Sequence, residues 1–90
     1  MLTPLGVARE QIDRFVLKAV ADAAAVDVTL LRQSTPLLDA QMDSLTLVAI
    51  VARVEAAYGA AFDPDELAEI LRARSVGELA VIVARKVLAT

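Results

Sequence analysis

The stretch Leu37–Gly59, LLDAQMDSLTLVAIVARVEAAYG, decides the fold. Turn-forming Asp39 and Asp43 sit among apolar residues at its start. From Ser44 to Tyr58 the chain is then almost continuously apolar, with Arg53 and Glu55 as its only charges. A run of this length, opened by cap-forming residues and closed by glycine, reads as an α-helix from near Ser44 to just before Gly59. A helix apolar on nearly every side must bury its outer face or use it.

Upstream, Asp27 to Asp43 mixes turn residues (Asp27, Thr29, Ser34, Thr35, Pro36, Asp39) with apolar Val28, Leu30, Leu31, Leu37, Leu38 and Met42. The spacing of the apolar residues predicts a long loop strapped onto a core, with a short helical turn near Leu30. Long ordered loops of this kind often carry function. Before it, Leu5, Ala8, Ile12, Phe15, Ala19 and Ala23 recur at three- and four-residue steps, with Val16 and Val20 beside them and charged residues opposite. That is an amphipathic helix, with Thr3-Pro4 as its start and an end near Ala25.

Downstream, FDPDELAEIL supplies Asp63 as N-cap, Pro64 at the first helical position and Glu66 three residues after the cap, opening a short helix to about Leu71. SVGEL repeats the device with Ser75 and Glu78, and Val76, Leu79, Val83 and Val87 form the stripe of a last helix, flanked by Ala80 and Ile82. The expected fold is all-α, one domain over residues 1–90: three long helices, one short third helix and a long first loop. The alanines Ala19, Ala23, Ala52 and Ala80 predict close helix approach.

Composition narrows the function. Ninety residues, 58% of them hydrophobic and with only three Gly and three Pro, favour packed helices and exclude disorder. The net charge of −3, without a basic block, disfavours nucleic acid. The chain has neither cysteine nor histidine, so it lacks a thiol nucleophile, the commonest general base and the commonest metal ligand. No metal site and no self-contained catalysis are expected. The start, MLTPLG, lacks the pattern of a secretory signal, and the longest apolar run, Leu45 to Ala52, is too short for a membrane span. A cytoplasmic monomer is expected.

Ser44 therefore stands out. Asp43 and Ser44 are both preferred N-caps, and a cap is its plain structural role. A helix N-terminus also presents unpaired N–H groups and partial positive charge, so a phosphate ester on that hydroxyl would be stabilised. Nucleophilic catalysis is disfavoured, because no imidazole exists and neither Lys18 nor Lys86 is near in sequence.

PLLDAQMDSLTLVAIVARVEAAYG resembles the central signature of acyl carrier proteins and peptidyl carrier domains. Pro36, Leu37, Asp39, Asp43, Ser44 and Leu45 stand at the positions of that family's P-L-x-D-L-G-x-D-S-L segment. Val48, Ile50, Val51, Val54, Glu55, Tyr58 and Gly59 match its second helix. FDPDELAEIL and SVGELAVIVARKV resemble its third and fourth, so the likeness covers nearly the whole chain.

The resemblance implies a right-handed four-helix bundle able to shelter cargo between its second and third helices. It implies Ser44 as the attachment point of 4′-phosphopantetheine, delivered from coenzyme A by a phosphopantetheinyl transferase, with Asp43 and Leu45 flanking it. The thiol of that arm would hold acyl groups as thioesters, which accounts for a chain with no sulfur nucleophile of its own. Leu37, Met42, Leu45, Val48, Phe62 and Ile70 are candidates for lining the path to the core.

Two departures from the family qualify the likeness. Ala40-Gln41 replaces the usual Leu-Gly, so a backbone that needs φ > 0 would hold Gln41 at some cost. Carriers of fatty-acid synthesis place acidic residues along the second helix, whereas Thr46 to Tyr58 here has zero formal charge. Partner enzymes that load and process the acyl group are therefore expected to meet an apolar surface around Thr46, Leu47, Val48 and Ala52, with Arg53 and Glu55 beside it. Leu45, Val48, Ile50 and Val51 divide evenly between core and surface, and Leu47 is assigned to the surface. Met42 and Pro36-Leu37-Leu38 favour carriers of polyketide or nonribosomal peptide systems. A chain running from Met1 to just past its last helix reads as a free-standing acyl carrier for a specialised fatty-acid, polyketide or related pathway. The alternatives are an aminoacyl or peptidyl carrier, and an unmodified helical adaptor that only binds a partner protein.

Overall fold

The computed structural model describes residues 8–38, 40 and 42–89. Among these the chain forms four α-helices and no strand: α1 (Arg9–Ala24), α2 (Ser44–Tyr58), α3 (Pro64–Leu71) and α4 (Val76–Leu88), with a single 3₁₀ turn at Val28–Leu30. This is the expected all-α fold with a short third helix and a long first loop.

α1 packs chiefly against α4 and then α2, while α3 bridges α2 and α4. The core is the sum of one stripe from each helix. Ile12, Val16, Ala19 and Val20 come from α1, Ile50, Val51 and Val54 from α2, Ile70 from α3, and Val76, Leu79, Ala80 and Val83 from α4. The opposite side of α1 is tied by ion pairs one helical turn apart: Arg9–Asp13, Glu10–Arg14 and Lys18–Asp22. Two further pairs, Glu69–Arg85 at 2.6 Å and Glu66–Lys86 at 3.1 Å, join α3 to α4.

The termini of the helices follow the sequence signals closely in the second half. Asp63 and Glu66 cap α3 reciprocally, with Pro64 in the first turn. The Ser75 hydroxyl accepts the Glu78 N–H at the start of α4. Gly59, at φ +67°, closes α2 by donating its N–H to the Glu55 carbonyl.

Three expectations need correction. α1 starts at Arg9, because Ala8 is extended and its N–H is taken by the Gln11 side chain; Thr3, Pro4 and Leu5 lie outside the described residues. The same helix ends where expected, on Ala25, which takes the left-handed region at φ 58° without a glycine. Leu30 and Leu38, assigned to the core, are 72% and 84% exposed, and the loop is anchored instead by Leu31 and Leu37. Ala23 and Ala52 are exposed, so close helix packing falls to Ala19 and Ala80, joined by Ala21 and Ala84.

Candidate functional site

The start of α2 separates two roles that sequence could not. The Asp43 backbone is extended (φ −98°, ψ 176°), and its carboxylate accepts the Thr46 N–H at 2.8 Å. Asp43 is thus the cap. Ser44 is the first helical residue, exposed, and its hydroxyl is engaged by no hydrogen bond among the described residues. The Thr46 hydroxyl, and then the Thr46 N–H, hold the Asp43 carboxyl below its ordinary value of 3.8, so it is ionised at neutral pH.

Beside Ser44 lies an open groove of about 560 Å³. One wall is the loop at Pro36-Leu37-Leu38, the other is Leu71, Ala73 and Arg74 at the junction of α3 and α4, and Met42 and Leu47 lie between. Backbone hydrogen bonds fix the two walls together. Leu37 donates to the Arg74 carbonyl at 2.9 Å, Val76 to Thr35 at 3.0 Å and Gly77 to Gln33 at 2.7 Å. A Cβ on Gly77 would stand 2.9 Å from the Gln33 carbonyl oxygen, so the loop can approach α4 this closely only over a glycine.

Of the residues assigned to the cargo path, Leu37 and Met42 line this groove. Ile70 is fully buried, Phe62 packs against the core, and Leu45 and Val48 lie exposed outside the groove. Leu47, assigned to the outer surface, is 5% exposed and forms part of the groove. Leu45, 79% exposed, takes the outward position, followed along the same side by Val48, Ala49, Ala52 and Ala56. Ile50 and Val51 belong to the core.

The two charges of α2 are engaged within the fold. Arg53 stands 3.5 Å from Asp22 and lies over the Phe15 ring, 5.8 Å from its centre. Glu55 is half-buried and accepts the Phe62 N–H at 2.8 Å, which fastens the link between α2 and α3. Each charge of α2 thus has a partner within the fold, although Arg53 itself is exposed. Gln41 lies outside the described residues.

Leu71, Ala73 and Arg74 were not identified from sequence. The signal that places them is the pairing of Pro36 with Ser75, a contact between distant segments with no local pattern. Among the described residues no cluster of His, Cys, Asp or Glu is arranged to hold a metal, and no helix is long and apolar enough to cross a membrane.

An exposed hydroxyl on a helix N-terminus, relieved of capping and facing an open apolar groove, fits a bulky phosphate ester. Comparison with known families agrees: the family model described as phosphopantetheine attachment site matches residues 14–81, well over half of the chain. No curated protein matches it.

Proposed function

The chain belongs to the phosphopantetheine attachment-site family, and from that membership we propose that it is an acyl carrier protein whose arm is esterified to Ser44. Members of the family carry 4′-phosphopantetheine covalently, and their carrier domains are generally not catalytic themselves. Once attached, the arm supplies a terminal thiol that holds an acyl group as a thioester.

The observation that carries the assignment is the division of labour at the start of α2. Asp43 satisfies the helix, so the neighbouring hydroxyl is exposed and uncommitted. The free N–H groups of the first turn and the helix dipole favour the phosphodiester at that point. With no histidine or cysteine in the chain, the base that takes the Ser44 proton must come from the phosphopantetheinyl transferase.

Leu45, Val48 and Ala52 then form the surface that partner enzymes meet beside the arm. Arg53 and Glu55, turned to Asp22 and Phe62, stabilise the fold instead of reading a partner. Thr46 serves the cap. The pathway is a specialised fatty-acid, polyketide or related one, in which the loading enzyme chooses the cargo.

Intact mass tests the assignment. After incubation with coenzyme A and a broad-specificity transferase, the wild-type chain gains one phosphopantetheine and Ser44→Ala gains none. An unmodified wild-type chain would leave the protein as a helical adaptor.

A further inference from the structure

Three arginines, Arg32, Arg72 and Arg74, have no ion pair among the described residues, while Arg9, Arg14, Arg53 and Arg85 each face a carboxylate. Of those three, only Arg74 lines the groove that contains Ser44. Its backbone is held from both sides: its N–H donates to the Glu78 carboxylate at 3.1 Å and its carbonyl accepts the Leu37 N–H at 2.9 Å. The side chain is exposed. A fixed backbone thus presents to the groove a cation with no ion pair among the described residues.

Among the described residues, Asp43 is the only other charged residue lining that groove, and it is ionised. An ester on Ser44 adds a second negative charge next to it. The helix N-terminus offsets part of this, with roughly half a unit of positive charge. Among the described residues, Arg74 is the one full positive charge on the same groove.

Resting on the assignment of the arm to Ser44, we propose that Arg74 is the counter-ion for an anionic oxygen of that arm, drawing it into the groove between Leu37 and Ala73. Two parts of a loaded arm can bear such an oxygen: the phosphodiester at its root, or a carboxylate at the far end of the cargo. Guanidinium recognises both through the same charge-assisted hydrogen bonds.

The test follows the Arg74 guanidinium N–H signal by NMR in the full chain, assigned by its loss in Arg74→Gln. The protein is converted by a transferase with coenzyme A, acetyl-coenzyme A or succinyl-coenzyme A, and intact mass verifies each conversion. The expected result is the same displacement of the signal in all three forms, which places Arg74 on the phosphodiester. A displacement confined to the succinyl form places it on a cargo carboxylate. The ³¹P signal of the arm gives the reciprocal readout: on the first result it moves in Arg74→Gln, and Arg74→Lys returns it toward the wild-type position. Complete conversion by mass with the guanidinium signal unmoved in every form overturns the proposal. Absence of conversion overturns the assignment of Ser44 itself, and the mass distinguishes the two failures.

Discussion

At the scale of single residues, the site depends on Asp43 and Ser44 doing different things. Sequence could say only that one of two good capping residues was redundant, because the choice is set by which of them is extended and which is already helical. Capping also makes the helix start sensitive to acid. The carboxyls of Asp22, Asp27 and Asp43 are all held below their ordinary value of 3.8, by Lys18, by Thr29 and by Thr46 respectively. A carboxyl with a lowered folded-state pKa contributes in full above its unfolded value, and that contribution disappears as pH falls through the folded value. Asparagine caps as well as aspartate but does not titrate. Asp43→Asn is therefore expected to melt close to wild type at neutral pH and to lose less stability between about pH 5 and pH 2, measured by thermal melts across that range. An equally steep acid loss in the variant would remove Asp43 from this role.

At the scale of elements, the helices were legible, as were the long loop and its turn near Leu30, but the contacts that hold the loop were not. Glycine and paired caps marked ends of α2, α3 and α4, and a period-3.6 stripe marked the buried side of α4. α1 was harder, since it starts on Ala8 and ends on a left-handed Ala25, neither of which advertises a terminus. α2 is apolar around most of its circumference, so its pattern could not fix which side faces inward, and Leu47 was placed on the wrong one. The loop from Asp27 to Asp43 is positioned by contacts with Arg74, Val76 and Gly77, beyond the reach of any local pattern. Gly77→Ala tests that strap. Alanine gains up to about 1 kcal/mol of helix propensity over glycine. Its Cβ would meet the Gln33 backbone oxygen at 2.9 Å, however, and that oxygen is already bonded to the Gly77 N–H. Overpacking of this kind costs about 1–3 kcal/mol. Net destabilisation by urea denaturation is the expected outcome, and a variant more stable than wild type would show that the loop is not fixed there.

At the scale of the molecule, four stripes close on one core with a radius of gyration of 12.3 Å, as expected for a compact chain of this length at about 12 Å. No buried side-chain polar atom among the described residues lacks a partner. The fold thus spends little of its polar chemistry inside, and what it offers a partner beside the proposed arm is an apolar, locally neutral strip from Leu45 to Ala56. Attraction between charges weakens as salt shortens its range to about 8 Å at physiological strength, whereas apolar burial does not. Association with a loading enzyme is therefore expected to change by less than about threefold between 0.05 and 0.5 M salt, and Leu45→Ser should weaken it at every salt concentration. Calorimetric titration measures both. A steep decline with salt would mean that charge outside this strip governs docking. That α2 carries one Glu against one Arg was readable from sequence, whereas the contacts of Arg53 with Asp22 and of Glu55 with Phe62 required the structure.

The central claim is that one hydroxyl bears the arm, and site-resolved mass spectrometry tests it most directly. Trypsin releases Gln33–Arg53, which contains Ser34, Thr35, Ser44 and Thr46 as competing hydroxyls. After treatment with coenzyme A and a transferase, fragmentation of that peptide is expected to place phosphopantetheine on Ser44 and on none of the others. An unmodified peptide, or an arm on Ser34, Thr35 or Thr46, would contradict the account.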